Sequence, residues 1–151
     1  MENTDMTITR IFDAPRELVW KAWTEQKHIK NWWGPKGFTN PVCEWDAKPG
    51  NKILIHMKGP DNNTYPMDGE FQQITKPEKI VFKSAALDKD GNHMFEIINT
   101  ITFAESGSKT KMTLHFLVTK TTPIAAQHLA GAKIGWNQSF DKLVELLKTL
   151  K

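Results

Sequence analysis

The chain has 151 residues, of which 39% are hydrophobic and 25% are charged, and its formal net charge at pH 7 is +3. These values are typical of one soluble globular domain with its own hydrophobic core, so we interpret residues 1–151 as a single domain. The lysines are scattered, which argues against nucleic acid as a partner, and no apolar run approaches the roughly 20 residues that a membrane span requires.

The cysteine content and the N-terminal sequence bear on location. Cys43 is the only cysteine, so no disulfide forms within the chain, which fits a reducing compartment. The sequence MENTDMTITR is acidic and polar and does not resemble a signal peptide. We therefore expect a cytoplasmic protein in which Cys43 is a buried structural thiol rather than a nucleophile.

A strand and two short helices are predicted first. Residues 6–12 alternate and are rich in β-branched side chains, which predicts a strand. Pro15 is favourable at the first position of a helix, and Trp23 belongs to the apolar face of that helix and is expected to anchor it. A second short helix is predicted over residues 27–33, and the Gly34-Pro35 pair ends it.

The middle of the chain predicts an antiparallel meander. Clusters of turn-forming residues separate alternating segments, and the short connections require successive strands to run antiparallel. In the last segment, Met112, Leu114 and Phe116 share one face. The six predicted strands cover residues 38–47, 51–58, 64–74, 79–86, 93–104 and 109–119.

A long helix is predicted from Pro123 to Lys151, with Thr122 as its N-cap. Its apolar residues recur at spacings of three and four, which makes one continuous stripe. Gly131 and Gly135 lower helix stability. Three explanations for them stay open: close approach of another backbone, room for a ligand, or simple tolerance at an exposed flank. The stripe consists of Ala125, Leu129, Ala132, Trp136, Phe140, Leu143, Leu147 and Leu150.

The order of elements indicates an α+β fold with an internal pocket. Only the sheet offers an apolar surface large enough for the long helix, and its twist would curl seven antiparallel strands around that helix. A curved sheet cannot contact a straight helix along its whole length. We therefore expect a pocket between them, which the two short helices plug at one end.

Several motifs resemble those of a known superfamily. They are Arg10–Phe12 followed by DAPRELVWKAWT, then HIKNWWGP, WDAKPGNK, GEFQQITKPEKIVF and GWNQSFDKLVELL. In this order they are similar to the START-like (SRPBCC) superfamily of birch-pollen-allergen-like proteins. Within it, the chain looks like the bacterial branch that resembles the C-terminal domain of the activator of heat-shock-protein-ninety ATPase. The resemblance implies the helix-grip fold, a curved seven-stranded antiparallel sheet wrapped around a long C-terminal helix, with two short helices after strand 1.

The resemblance also implies an apolar cavity rather than a shared set of catalytic residues. We therefore expect the protein to bind a small hydrophobic molecule, lipid-like or aromatic, between the sheet and the C-terminal helix. Two alternatives stay open. One is a cofactor-free enzyme of the polyketide cyclase type, and the other is a module that interacts with a chaperone.

Candidate ligand contacts come from positions that are predicted to face inwards. The alternative for each of them is that it only fills the core, because protein interiors pack densely. The candidates are Trp32, Trp33 and Phe38 beside the pocket mouth, Phe71, Phe82, Phe95, Phe103, Met112, Leu114 and Phe116 from the sheet, and Leu129, Ala132, Trp136 and Phe140 from the long helix.

The sequence contains no recognisable catalytic or cofactor-binding pattern. Its histidines do not have the spacing of metal ligands, and it has neither a phosphate-binding loop nor a serine elbow. His56 and His115 lie on predicted strands and face either the cavity or water, whereas alternation turns Asp68 and Glu70 towards solvent. We expect no metal and no cofactor, and an enzyme on this scaffold would act mainly through the shape of its pocket.

Overall fold

A computed structural model of the protein describes residues 5–120 and 125–150, with side chains in the second range from residue 131 onward. The strand ends and the bounds of the second helix lie within two residues of those predicted. The predicted start of the long helix at Thr122 and Pro123 lies outside the described residues, and the helix ends at Leu147 rather than at the predicted Lys151. The elements are β1 (Asp5–Phe12), α1 (Arg16–Thr24), α2 (Gln26–Trp32), β2 (Thr39–Trp45), β3 (Lys52–Lys58), β4 (Thr64–Thr75), β5 (Lys79–Leu87), β6 (His93–Ser106), β7 (Lys109–Lys120) and α3 (Ala125–Leu147).

The strands form one seven-stranded sheet in the order β1-β7-β6-β5-β4-β3-β2. Every neighbouring pair is antiparallel. Strands β2 to β7 follow one another as a meander, and β1 returns to pair with β7, so that Met6 lies opposite Phe116. This topology confirms the predicted α+β architecture.

Irregular pairing and one close approach between strands shape the sheet. The register shifts between Phe71 and Gln73 in β4, and again near the start of β6 between Glu96 and Ile97. Such bulges bend a strand and increase its twist. A Cβ atom on Gly69 would lie 2.2 Å from the carbonyl oxygen of Lys83. Only glycine therefore permits β4 and β5 to approach this closely.

Aromatic rings meet around Trp23, which is fully buried on α1. Its ring lies 4.8 Å from that of Trp32 and 6.3 Å from those of Phe103 and Phe140, measured between centroids. Its indole N–H donates to the sulfur of Met112 at 3.2 Å. Trp23 thus joins both short helices, the sheet and α3, as the prediction of an anchoring role requires.

Two other tryptophans satisfy backbone carbonyls at the end of α1. The last carbonyls of a helix have no partner within the helix. The indole N–H of Trp32 donates to the carbonyl oxygen of Ala22 at 2.9 Å, and that of Trp45 donates to the carbonyl oxygen of Trp23 at 2.7 Å. These bonds allow the end of α1 to be buried inside an aromatic core.

The burial of α3 increases along its length. On the inward face of α3, Ala132 and Trp136 are half-buried, whereas Phe140 and Leu143 are inaccessible to solvent. The second half of α3 therefore packs into the core and the first half stands away from it. In the parts of the chain that the structure describes, no helix is long and apolar enough to cross a membrane.

The indole hydrogen bond of Trp32 predicts a measurable difference between two tryptophans. Trp32→Phe deprives the buried carbonyl of Ala22 of its donor, which costs about 1–3 kcal/mol in addition to the lost ring volume. Trp20→Phe loses a similar volume, but within the described parts of the chain the Trp20 indole makes no hydrogen bond that this change would break. Denaturant unfolding of both variants checks this, and equal losses of stability would show that the indole bond contributes nothing.

Candidate functional site

A cleft of about 680 Å³ lies between the first half of α3 and the inner face of the sheet. One wall is the segment 33–38 that follows α2, a second is formed by residues 131–139 of α3, and strands β3 to β7 form the rest. The lining is predominantly apolar.

Trp33 and Trp136 meet where the segment 33–38 approaches α3. Their rings pack edge to face, with centroids 5.2 Å apart. A Cβ atom on Gly135 would lie 3.4 Å from Cγ of Pro35, so the helix and the segment are close there. At Gly131, one turn earlier, a Cβ atom would meet nothing within 4 Å. Gly135 therefore belongs to the close approach, and Gly131 leaves open space.

The cleft brings together part of the predicted set of ligand contacts. Leu129 lies in the range whose side chains are outside the described residues. The predicted residues that line the cleft are Trp33, Phe38, Phe95, Phe116, Ala132 and Trp136.

The other predicted contacts lie in the closed core and do not line this cleft. All of them are 3% exposed or less. The reason is the aromatic cluster around Trp23, which fills the space between the sheet and the second half of α3 and leaves no gap there. These residues are Trp32, Phe71, Phe82, Phe103, Met112, Leu114 and Phe140.

Sequence reasoning missed the polar residues of the cleft. Asn99 and Ser84 line it from neighbouring strands, and Ser139 lines it from α3. Asn99 has the same parity in β6 as Ile97 and Ile101, which are buried, so alternation alone turns it inwards. A search for polar residues at inward positions would have found it.

No acid–base pair is placed inside the cleft among the residues that the structure describes. His56 borders it, but alternation in β3 turns its ring away from the face of Ile55 and Met57. The carboxylate of Asp88 accepts two backbone N–H groups of its own turn, each at 2.9 Å. Both bonds go to Oδ1, which therefore stabilises the turn between β5 and β6.

The remaining reactive side chains lie elsewhere. The Cys43 thiol is half-buried rather than fully buried, and desolvation raises its pKa to about 11, so it is protonated at neutral pH. His115 pairs with Asp5 at 3.0 Å near the surface. Within residues 5–120 and 125–150, no group of three or more histidine, cysteine, aspartate or glutamate side chains could hold a metal ion.

A separate cluster of charged side chains lies on the outer face of the sheet. His93 lies 2.7 Å from a carboxylate oxygen of Glu96 and 3.2 Å from one of Asp68. The hydrogen bond to Glu96 is the main reason why the pKa of His93 is raised. Glu70 pairs with Lys52 at 2.8 Å. Asp68 and Glu70 therefore lie on the face opposite the cleft, as alternation predicts.

Lys142 fastens the segment 33–38 to α3. Its ammonium group donates to the carbonyl oxygens of Trp33, Pro35 and Phe38, each at 3.4 Å. Burial lowers the pKa of this ammonium, and the three carbonyls supply the partners that a desolvated cation requires. Lys142 therefore positions one wall of the cleft without lining it.

Comparison with known families and proteins supports the fold. Residues 13–148 match the family model described as Activator of Hsp90 ATPase homolog 1-like protein. Comparison with curated proteins gave no match. Because the matched range covers all of the chain from α1 to α3, it includes every wall of the cleft.

Solved structures from several bacteria have a similar fold. Protein Ms6760 from Mycobacterium smegmatis is 25% identical, with a TM-score of 0.82 over 96% of this chain and 91% of that one. Protein NE0264 from Nitrosomonas europaea is 26% identical, with a TM-score of 0.83 over 97% and 95%. The AHSA1 (SPO3351) protein from Silicibacter pomeroyi is 18% identical, with a TM-score of 0.84 over 97% and 99%, and shows the fold alone. The predicted helix-grip fold is confirmed.

The role of Lys142 can be tested with a matched lysine. Lys142→Met keeps the apolar stem but removes three donors, so we expect a loss of about 1–2 kcal/mol of unfolding free energy. Hydrogen exchange at the Phe38 amide, which donates to Pro35, should become faster. Lys148→Met removes only an exposed pair with Glu145 and should change stability by less than about 0.5 kcal/mol. Equal effects of both substitutions would contradict the positioning role.

Proposed function

The chain belongs to the Activator of Hsp90 ATPase homolog 1-like family, and we propose that it binds one small apolar or aromatic molecule in the cleft between the sheet and α3. The observation that carries this proposal is the cleft itself, about 680 Å³ with a mainly apolar lining. Ligand sites in proteins have volumes of roughly 300–1,000 Å³ and similar linings. A ligand of that size would shield this apolar surface from water, which favours binding.

The aromatic side chains of the cleft favour a flat ligand. Trp33 and Trp136 meet edge to face at its corner, and Phe95 and Phe116 line it from the sheet. Aromatic rings interact best through offset stacking or edge-to-face packing. A molecule with one or two fused rings could make both kinds of contact, and a lipid-like chain would use only the apolar area.

The two alternatives receive less support. An enzyme of the cyclase type needs an acid or base inside the cleft. Alternation in β3 turns the ring of His56 away from it, and Oδ1 of Asp88 accepts two backbone N–H groups of its own turn. A chaperone-binding module predicts a broad exposed apolar patch. The large apolar side chains that are exposed within the described ranges, Ile11, Tyr65 and Ile134, lie on three different elements. A cytoplasmic location stays a prediction from the single cysteine.

The tryptophan indole N–H signals in NMR provide a direct test of the proposed function. Naphthalene and decanoic acid, titrated separately, represent an aromatic and a lipid-like ligand. We expect the largest shift changes at Trp33 and Trp136, which line the cleft, and the smallest at Trp32 and Trp45, whose N–H groups donate within the core. If neither compound moves the Trp33 and Trp136 signals, the proposed function is contradicted.

A substitution at Gly131 checks that binding depends on the open space. Gly131→Phe places a ring where an added Cβ atom meets nothing within 4 Å, so we expect the affinity for naphthalene to fall at least about tenfold. The control is Gly131→Ala, which should leave the affinity nearly unchanged and stabilise the helix by up to about 1 kcal/mol. If Gly131→Phe binds naphthalene as tightly as the unmodified chain, the ligand does not bind in this cleft.

A further inference from the structure

Asn99 is a polar side chain in the middle of an otherwise apolar inner face. It is 1% exposed, and Ile97 and Ile101, the neighbours on the same face of β6, are 4% and 0% exposed. It lines the cleft. A buried amide is costly unless all its polar atoms have partners, so its position in the wall of a ligand-sized cleft requires an explanation.

The hydrogen bonds of Asn99 determine which of its atoms lacks a partner. Nδ2 donates to Oγ of Ser84 at 2.9 Å and lies 3.4 Å from the carbonyl oxygen of Phe82. The reverse orientation of the amide would place two oxygens against each other at Phe82, so the nitrogen belongs on that side. Oδ1 is buried and has no hydrogen-bond partner among the described residues. An acceptor is therefore left unsatisfied.

Ser84 supplies the complementary group. Its oxygen accepts the Asn99 amide, and within the described parts of the chain its own O–H donates to no recorded acceptor. Ser84 also lines the cleft. The hydrogen-bonded pair of Asn99 and Ser84 therefore contains a carbonyl that needs a donor and a hydroxyl that needs an acceptor. A single hydroxyl group can satisfy both, because it donates once and accepts twice.

We propose that the ligand of the cleft is a neutral aromatic molecule with a hydroxyl group, which donates to Oδ1 of Asn99 and accepts from the Ser84 hydroxyl. This inference rests on the proposed function and adds the chemical class of the ligand. A carboxylate fits less well, because Oδ1 would repel it and Lys89, the cationic residue of the lining, is exposed in a turn. An ammonium group fits less well too, because it has no lone pair with which to accept from the Ser84 hydroxyl.

Three probes with the same ring system test the proposal on the unmodified chain. Naphthalene carries no oxygen, and 2-naphthol carries a hydroxyl group that both donates and accepts. The third probe, 2-methoxynaphthalene, carries an ether oxygen that only accepts. We expect 2-naphthol to bind about tenfold more tightly than naphthalene, because it satisfies a buried acceptor. The methoxy compound can accept from Ser84 but cannot donate to Asn99, so its affinity should lie between those of naphthalene and 2-naphthol. Dissociation constants from NMR titration measure all three.

Substitution of Asn99 tests whether this residue causes the preference. Asn99→Leu has a similar volume and no polar atoms, so it should bind naphthalene at least as well and lose the preference for 2-naphthol. Ser84→Ala removes the donor alone and should reduce the preference in part. The matched control is Ser106→Ala, because Ser106 is exposed at the end of β6 and does not line the cleft. It should keep the full preference.

The possible failures are distinguishable. If naphthalene and 2-naphthol bind the unmodified chain equally well, the hydroxyl inference is wrong, while the proposed function stands. An unchanged preference in Asn99→Leu also contradicts the inference. If none of the three probes binds in the cleft, the proposed function fails and this inference fails with it. The titrations on the unmodified chain remain decisive even if Asn99→Leu does not fold.

Discussion

The structure depends on the hydrogen bonds that tryptophan indole groups donate to the end of α1. A helix end can be buried in an apolar core only if its free carbonyls find donors. Trp32 and Trp45 provide these donors on large apolar rings, at 2.9 and 2.7 Å. The same side chains therefore fill space and satisfy the backbone. Residues from α2 and from β2 are thereby fastened to α1, and the three elements close one end of the sheet.

That closed end explains where the cleft lies. The cluster around Trp23 fills the space under the second half of α3, where Phe140 and Leu143 are fully buried. Towards its start, α3 stands away from the sheet, and the cleft occupies the gap. Lys142 then fixes the segment 33–38 against α3 through three carbonyl oxygens. The closed end of the aromatic interior, around Trp23, thus contributes mainly to stability, and the proposed ligand site lies at the opposite end.

The sequence predicted the fold well because alternation, turn clusters and the helical stripe are local signals. It could not divide the aromatic residues between core and cleft, because that division depends on long-range packing. Trp32 and Trp33 are adjacent, yet Trp32 ends α2 with its ring in the core, whereas Trp33 lies beyond the helix and lines the cleft. Asn99 is neither apolar nor ionisable, so neither pattern pointed to it, and its unsatisfied oxygen becomes significant only beside Ser84.

A crystal of the protein soaked with 6-bromo-2-naphthol would test the central claim most directly, because bromine gives an anomalous signal that no protein atom imitates. The predicted result is one bromine peak in the cleft, with the ring against Trp33 and Trp136 and the hydroxyl oxygen within about 3 Å of Oδ1 of Asn99. A cleft without bromine, with peaks only on the outer surface, would contradict a ligand site between the sheet and α3.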